Sequence, residues 1–474
     1  MTPAMILTMV LCFALSVSVA VSIGLSALMG MQFNNTNMLI AAKEMFSSIN
    51  KFPLAAIPFF ILAGNLMETG GISRRLVEFA KSLVGGVQGG LPMTCVLTCM
   101  IFAAVSGSSV ATTFAIGTIL IPALIRHGYP VNYAAALQAT SAELGVIIPP
   151  SIPMILYGVS AEVSIGELFI AGFGPGFLIG GALMLFVFLW CRWKGWGKQD
   201  GEGRLSVATA AIDVAFIAGF MVAVVVGRRL TDSPMGHLAL PALYLALCLA
   251  LPQLRRFATA HAGLALLMPV IILGGIYGGI FTPTEASAVA VFYALVVGCL
   301  VYRDIGVRDL YTILRKSVIS SAVIMFIIAN AGLFAFLITR AGIPDLIGQW
   351  LKEVLRTPTL FLLGVNAALF VIGMFIETSA SIIVLAPILA PVALHFGVDP
   401  VHFGIVVVVN VMIGLCSPPY GLLLLMMSRM TEVPLKDLIR EMAPFHLAMV
   451  ITLLLITYVP WITLIVPRLL GYKG

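Results

Sequence analysis

Two Pro-Pro pairs, Pro149-Pro150 and Pro418-Pro419, interrupt long apolar stretches of this sequence. Proline has no N–H and clashes with the carbonyl four residues back. The first pair therefore frees backbone oxygens around Gly145, Val146 and Ile147, and the second around Gly414, Leu415 and Cys416. Two hydroxyl-rich tetrads accompany them, Ser106-Gly107-Ser108-Ser109 and Thr378-Ser379-Ala380-Ser381. Unpaired carbonyls are not tolerated against lipid; they persist where they line a cavity or bind a cation. Carbonyl and hydroxyl oxygens suit a hard cation, and a dehydrated Na⁺ needs about five or six of them by analogy with other hard ions. A single proline kink is explained well enough by packing, with Ser and Thr satisfied by carbonyls one turn back. Two matched kinks, each with a hydroxyl-rich partner, favour a pair of ion sites.

The charged residues near these segments are few. No Lys or Arg occurs between Ser82 and Ile125 or between Thr357 and Ser428. An anion held by those segments must therefore rely on half-helix N-termini and bound cations, both of which offer positive potential without a titratable group. That would couple the ion to the anion. Glu143 lies two residues before Gly145, where it could carry a proton, orient the site or serve structure. Glu377 immediately precedes the second tetrad and is expected to cap the helix that follows. Thr282-Pro283-Thr284-Glu285 has the form of a helix start with a capping box. Asp213 reads as peripheral, and His127, His395 and His402 read as loop-edge residues without metal spacing. The seven cysteines sit in or at the ends of apolar runs without a CxxC pair, so packing is their expected role.

The elements that carry these groups must be membrane helices. Of 474 residues, 61% are apolar and 10% charged. A soluble domain carries about 25% charged residues. Disorder, nucleic-acid binding and a secreted disulfide scaffold are excluded by the same composition. Coarse spans fall at 5–29, 53–67, 168–190, 207–227, 237–253, 261–281, 285–302, 317–338 and 442–467. The first is expected to be retained, because the first basic residue is Lys43. Basic loops at Arg192, Lys194, Lys198 and Arg204, at Arg255 and Arg256, and at Arg303, Arg308, Arg315 and Lys316 share one side, read as the cytoplasm. Arg228 and Arg229 fall on the other side and count mildly against this.

The chain also repeats itself. Pro122, Gly128, Gly145 and Pro149-Pro150 recur as Pro391, Gly397, Gly414 and Pro418-Pro419 at a constant spacing of 269. Leu66, Gly71 and Ile72 recur as Leu337, Gly342 and Ile343 at a spacing of 271. The stretch 91–125 is too long for one span and too short for two, so it reads as two half-depth helices meeting at residues 106–109. Each copy then crosses an odd number of times, which inverts the second copy. Inverted repeats with discontinuous helices are common in secondary transporters, with sites at the midplane. The expected fold is thus an all-α polytopic membrane protein with two re-entrant helical hairpins and two Pro-Pro broken helices. Its expected divisions are 1–51 (N-terminal span and amphipathic connector), 52–191 (first repeat), 192–316 (central spans, with an extra hairpin at 205–256) and 317–474 (second repeat).

With these residues in view, the chain resembles the large membrane subunit of tripartite ATP-independent periplasmic (TRAP) transporters. The resemblance rests on FPLAAIPFFILAGNLMETGGISRRLVEFA, GGLPMTCVLTCMIFAAVSGSSVAT, LGVIIPPSIPMILYGVSAEVSIGELFIAGFGPG, VIILGGIYGGIFTPTEASAVAVFYAL and GVDPVHFGIVVVVNVMIGLCSPPYG. It implies an elevator-type transporter of the bacterial inner membrane, driven by a Na⁺ gradient and using no cofactor beyond that coupling ion. It implies two protein partners, a small (Q-type) membrane subunit and a periplasmic substrate-binding protein, and an organic acid anion as cargo: a C4-dicarboxylate, sugar acid or keto acid.

Carried over residue by residue, the first sodium site is expected at Ser106, Gly107, Ser108, Ser109, Gly145, Val146 and Pro149, and the second at Glu377, Thr378, Ser379, Gly414, Cys416 and Ser417. Substrate is expected near Ser108, Ser109, Thr112, Pro150, Ser381 and Pro419. The family's first tip usually ends in Asp, where this chain has Thr112. Its second break usually has Thr before Pro-Pro and Asn after the following Gly-Leu, where Ser417 and Leu423 stand here, and Glu377 occupies a position where Asp is common. These departures touch substrate selectivity. Two other classes compete with this reading. An ABC permease subunit fits poorly with an inverted repeat, and an intramembrane enzyme would need an HExxH, a GxSxG or a paired acid that the sequence lacks.

Overall fold

A computed structural model describes residues 2–15, 17–34, 36–198, 200, 207–230, 243–244, 262–355, 357–419 and 421–472, and these are almost entirely helical. Seven described helices are long and apolar enough to cross a membrane, with an eighth if the bent pair at Pro149-Pro150 is taken as one span. The expected span at 237–253 lies outside the described residues, apart from Leu243 and Tyr244.

The N-terminal part departs from the sequence expectation. Instead of one span over 5–29, the chain forms α1 (Thr2–Ala14) and α2 (Val19–Phe33), which fold back on each other. The Ser26 hydroxyl donates to the Met5 carbonyl at 2.6 Å across the pair. The turn falls where Val17 and Ser18 lead into the second helix. Apolar content alone cannot show such a turn, because no charge marks it between Met1 and Ala42. Helix α3 (Leu39–Ile49) follows.

The first repeat begins with α4 (Ala56–Thr69) and the amphipathic α5 (Ile72–Val84). A helical hairpin comes next, α6 (Gly90–Ser106) and α7 (Ser109–Arg126). The broken helix consists of α8 (Val131–Ala142), the single turn α9 (Leu144–Ile147) and α10 (Ile152–Ala161), with a bend of 42°. The repeat closes with the long α11 (Ile165–Lys194). Centrally lie α12 (Val207–Leu230), α13 (Gly263–Tyr277) and α14 (Pro283–Leu295), the last extended by a π-helical segment, Val296–Val301. Thr282 and Glu285 form the expected capping box of α14.

The second repeat has the same order. Helix α15 (Val307–Arg340) leads to the amphipathic α16 (Ile343–Leu355), then to the hairpin α17 (Pro358–Gly373) and α18 (Thr378–His395). The second broken helix is α19 (Pro400–Leu415) and α20 (Leu422–Thr431). The last expected span, 442–467, is divided into α21 (Leu435–Tyr458) and α22 (Trp461–Leu469), with the break at Pro460, where the helix cannot continue. Gly71 and Gly342, and likewise Gly128 and Gly397, all adopt the left-handed conformation, so the repeat-related positions make the same turns.

The hairpins are closed at their roots. In the first, Asp200 accepts from the Leu91 backbone N–H and the Tyr129 hydroxyl and pairs with His127, so both ends of α6–α7 meet one side chain. Burial and the Asp200 charge hold the Tyr129 phenol well above its usual titration range. In the second hairpin, Phe361 and Phe396 stack with ring centroids 4.5 Å apart. Buried amides brace the hairpins against the broken helices. Gln138 of α8 accepts from Cys95 at 3.1 Å and donates to the Thr112 carbonyl at 3.4 Å. Asn410 of α19 donates to the Asn366 side-chain oxygen at 2.7 Å, and Asn366 donates to Thr457 at 3.0 Å.

Two further sequence readings change. His402 stands in the first turn of α19, at the edge the sequence indicated, but it is buried and bonds through its ring nitrogens to Thr463 and Thr457. Asp213 is buried and partnered, not peripheral.

Candidate functional site

The first tip is a short non-helical link between two helices. Gly107 takes φ 63°, a conformation that favours glycine, and its carbonyl accepts from the Ile152 N–H at 3.4 Å, just past the first Pro-Pro pair. Ser108 is the N-cap of α7 and accepts from the Ala111 N–H at 3.4 Å. The Thr112 hydroxyl turns back to the Ser108 carbonyl at 2.9 Å. Gly145 of the broken helix lies directly against this tip. A β-carbon there would stand 2.6 Å from the Thr112 hydroxyl and 2.9 Å from the Ser108 carbonyl oxygen. The tip and the break therefore meet through backbone, as the sequence reading requires. Of the freed carbonyls, Val146 accepts the Ser151 hydroxyl at 2.6 Å.

The second tip is built differently. Glu377 caps α18 by accepting from the Ser379 and Ala380 N–H groups at 2.9 and 3.2 Å and from the Ser379 hydroxyl at 2.9 Å. The capping role expected of Glu377 is thus present, and it places a carboxylate where the first tip has a neutral serine. The Thr378 hydroxyl is buried and has no hydrogen-bond partner. Gly373, at the end of the hairpin's first helix, packs on Gly414; a β-carbon at Gly414 would lie 2.7 Å from the Gly373 Cα. Ser417 donates to the Ile413 carbonyl at 2.8 Å, beside the second Pro-Pro pair.

A cavity of about 670 Å³ joins the two tips. Ser106, Gly107, Ser108 and Ser109 line it from the first hairpin, and Glu377, Thr378 and Ser379 from the second. Val146 reaches it from the first break. Gly145, Gly414, Cys416 and Ser417 are buried behind the lining, as are Thr112, Pro149, Pro150 and Ser381. Pro419 is exposed and outside the cavity wall. Of the residues expected near substrate, the structure therefore brings Ser108 and Ser109 to the cavity surface.

Two features were not legible in advance. Helix α15 begins at Val307, so Arg308, Arg315 and Lys316 belong to a helix and not to a basic loop. Lys316 lines the cavity, and its ammonium lies 3.0 Å from the Glu68 carboxylate. A helical-period reading begun ten residues earlier would have placed it there, since Lys316, Ile319, Ser320, Val323 and Ile324 share the lining face. Second, Glu143 is completely buried at the first break, with the Cys416 thiol of the second break beside its carboxyl group.

The family match and the named relatives agree on one family. The family described as the tripartite ATP-independent periplasmic transporter, DctM component, matches residues 6–462. A C4-dicarboxylate TRAP transporter large permease protein of Pseudomonas aeruginosa is 40% identical over 95% of this chain and 94% of its own. The isethionate TRAP transporter permease protein DctMQ of Oleidesulfovibrio alaskensis is 37% identical over 94% of this chain and 63% of its own. A sialic acid TRAP transporter large permease protein of Vibrio cholerae is 34% identical over 93% and 92%. Among solved structures, the Alcanivorax borkumensis YdaH transporter has a TM-score of 0.56 at 16% identity, covering 89% of this chain and 87% of its own, which speaks to the fold alone. The chain is a multi-pass membrane permease and belongs to the DctM component family of tripartite ATP-independent periplasmic transporters.

Proposed function

We propose that this permease couples the uptake of an organic acid anion to Na⁺ entering at the two hairpin–break pairs. The carrying observation is the cavity shared by both tips. Its walls supply hydroxyls, carbonyls and one capping carboxylate, an oxygen set suited to a hard cation, and the orphaned Thr378 hydroxyl supports a missing partner there. The carboxylate of Glu377 repels an anion at the second tip until a cation offsets it, while the first tip presents an α7 N-terminus capped by neutral Ser108. Ion and anion thus favour each other's binding.

In this reading, each hairpin enters the membrane from one face and returns to it, and the tips with their broken helices move as a carriage in an elevator cycle. Substrate arrives from a periplasmic binding protein, and a small membrane subunit completes the permease. The DctMQ name of the isethionate relative, which is longer than this chain, supports a partner of that kind. The cargo class follows the relatives' names, which cover a C4-dicarboxylate, a sulfonate and a sugar acid.

Reconstitution with the small subunit and the binding protein tests this directly. Under an inward Na⁺ gradient, one of succinate, isethionate or sialic acid should accumulate, and replacing Na⁺ by K⁺ should abolish it. Equal uptake in K⁺ would remove the coupling, and equal uptake without the binding protein would remove the tripartite requirement.

A further inference from the structure

Lys316 is the one Lys or Arg among the described residues that line the central cavity. It comes from neither hairpin nor break. With Ile319, Ser320, Val323 and Ile324 it forms a stripe on α15, and Ile61, Gly64, Asn65 and Glu68 form the facing stripe on α4. The ammonium sits 3.0 Å from Glu68, and the two side chains are 55% and 24% exposed. At that exposure the pair gives little to stability. The two helices are joined independently one turn away, where Asn65 donates to the Ser317 hydroxyl at 2.8 Å in a buried bond. A strut is therefore already present, and the pair is not needed as one. An ammonium has three donors, and Glu68 uses one of them. It can accordingly take a second oxyanion without first losing its partner.

Position adds a direction. Of the cavity-lining residues on α15, Lys316 is nearest the helix's N-terminal end, which follows the loop where Asp304 pairs with Arg75 at 3.2 Å. The positive-inside rule, applied to its basic residues, assigns that end to the cytoplasm.

We propose that Lys316 is the residue that receives the anionic group of the substrate as it leaves the Ser108–Ser109 tip towards the cytoplasm, with Glu68 holding its ammonium between cycles. This rests on the organic-anion reading above. The Glu68 carboxylate repels a second oxyanion held at the same ammonium, so the two members of the pair have opposite effects.

The test uses the complete reconstituted permease with whichever of succinate, isethionate or sialic acid the wild type carries. Exchange against substrate on the cytoplasmic face gives a half-saturating concentration there. Lys316→Gln should raise it by about tenfold or more, the effect of one lost charge-assisted bond. The half-saturating Na⁺ concentration should stay unchanged, and Glu68→Gln should lower the substrate value. Parallel losses in both variants, or no change in Lys316→Gln, would overturn the assignment. Should Lys316→Gln fail to assemble, Lys316→Cys can be alkylated to restore an ammonium or to add a neutral group of the same size. Rescue by the ammonium alone supports the proposal, and equal rescue by both reagents ends it. A wild type that carries none of the three acids defeats the organic-anion reading itself, and this assignment with it.

Discussion

At the scale of single residues, the two sites depend on how closely backbone approaches backbone. Gly145 has no room for a side chain: its β-carbon would press on the Thr112 hydroxyl and the Ser108 carbonyl, and only the first of these can turn away. Overpacking of this kind costs about 1–3 kcal/mol. Gly145→Ala is therefore expected to push the first tip off the first break and raise the half-saturating Na⁺ concentration about tenfold, with assembled protein unchanged. Unaltered Na⁺ dependence would separate Gly145 from the ion site. The hydroxyl tips, the Pro-Pro breaks and the Glu377 cap were all legible, because each is a local chemical pattern within a few residues. Lys316 was not, because Arg315 beside it made a helix segment look like a loop. Glu143 was visible as a residue near a break, but its burial depends on packing between two distant segments.

At the scale of elements, each hairpin is positioned by a buried amide on the neighbouring broken helix. The second brace is the more extended, linking Asn410, Asn366 and Thr457, with His402 bonded to Thr457 and Thr463. Replacing Asn410 by Leu keeps the forked shape while adding bulk, and leaves the Asn366 oxygen without its donor. The expected cost is about 1–3 kcal/mol, read as a lowered thermal midpoint in detergent and compared with Val407→Leu on the same helix as a packing control. An unchanged midpoint would show that the brace does not hold the hairpin. Span positions were legible from apolar runs in the middle of the chain. They failed at its ends, where Ser18 and Pro460 introduce turns inside uncharged stretches. Hydropathy measures solvent preference and is blind to a reversal whose polar groups are satisfied locally.

At the scale of the whole molecule, the arrangement divides into two faces. On one face Asp200, just past α11, joins the roots of the first hairpin, and Asp304 in the loop before α15 pairs with Arg75 of α5. On the other, Lys51 reaches the Val159 carbonyl at 3.3 Å and Tyr472 reaches Asp399 at 3.1 Å. If the first face is cytoplasmic, a cysteine introduced at exposed Gly306 should resist an impermeant maleimide applied from the periplasm, while one at exposed Ser164 should react, in a background without native cysteines. The reverse pattern would turn the molecule over and reassign the exit side of the cavity. The inverted repeat was legible as a series of matched Gly and Pro positions, and the shared left-handed turns give that series its structural meaning.

The clasp at Asp200 bears on how force passes through the first hairpin. One carboxylate meets the root of the descending helix at Leu91 and the root of the returning helix at His127 and Tyr129. Neither leg can shift its footing without disturbing the other, and the phenol stays protonated across any pH the cell reaches. The first hairpin is thereby footed on a single buried carboxylate, so that a change at Asp200 would reach both of its legs at once.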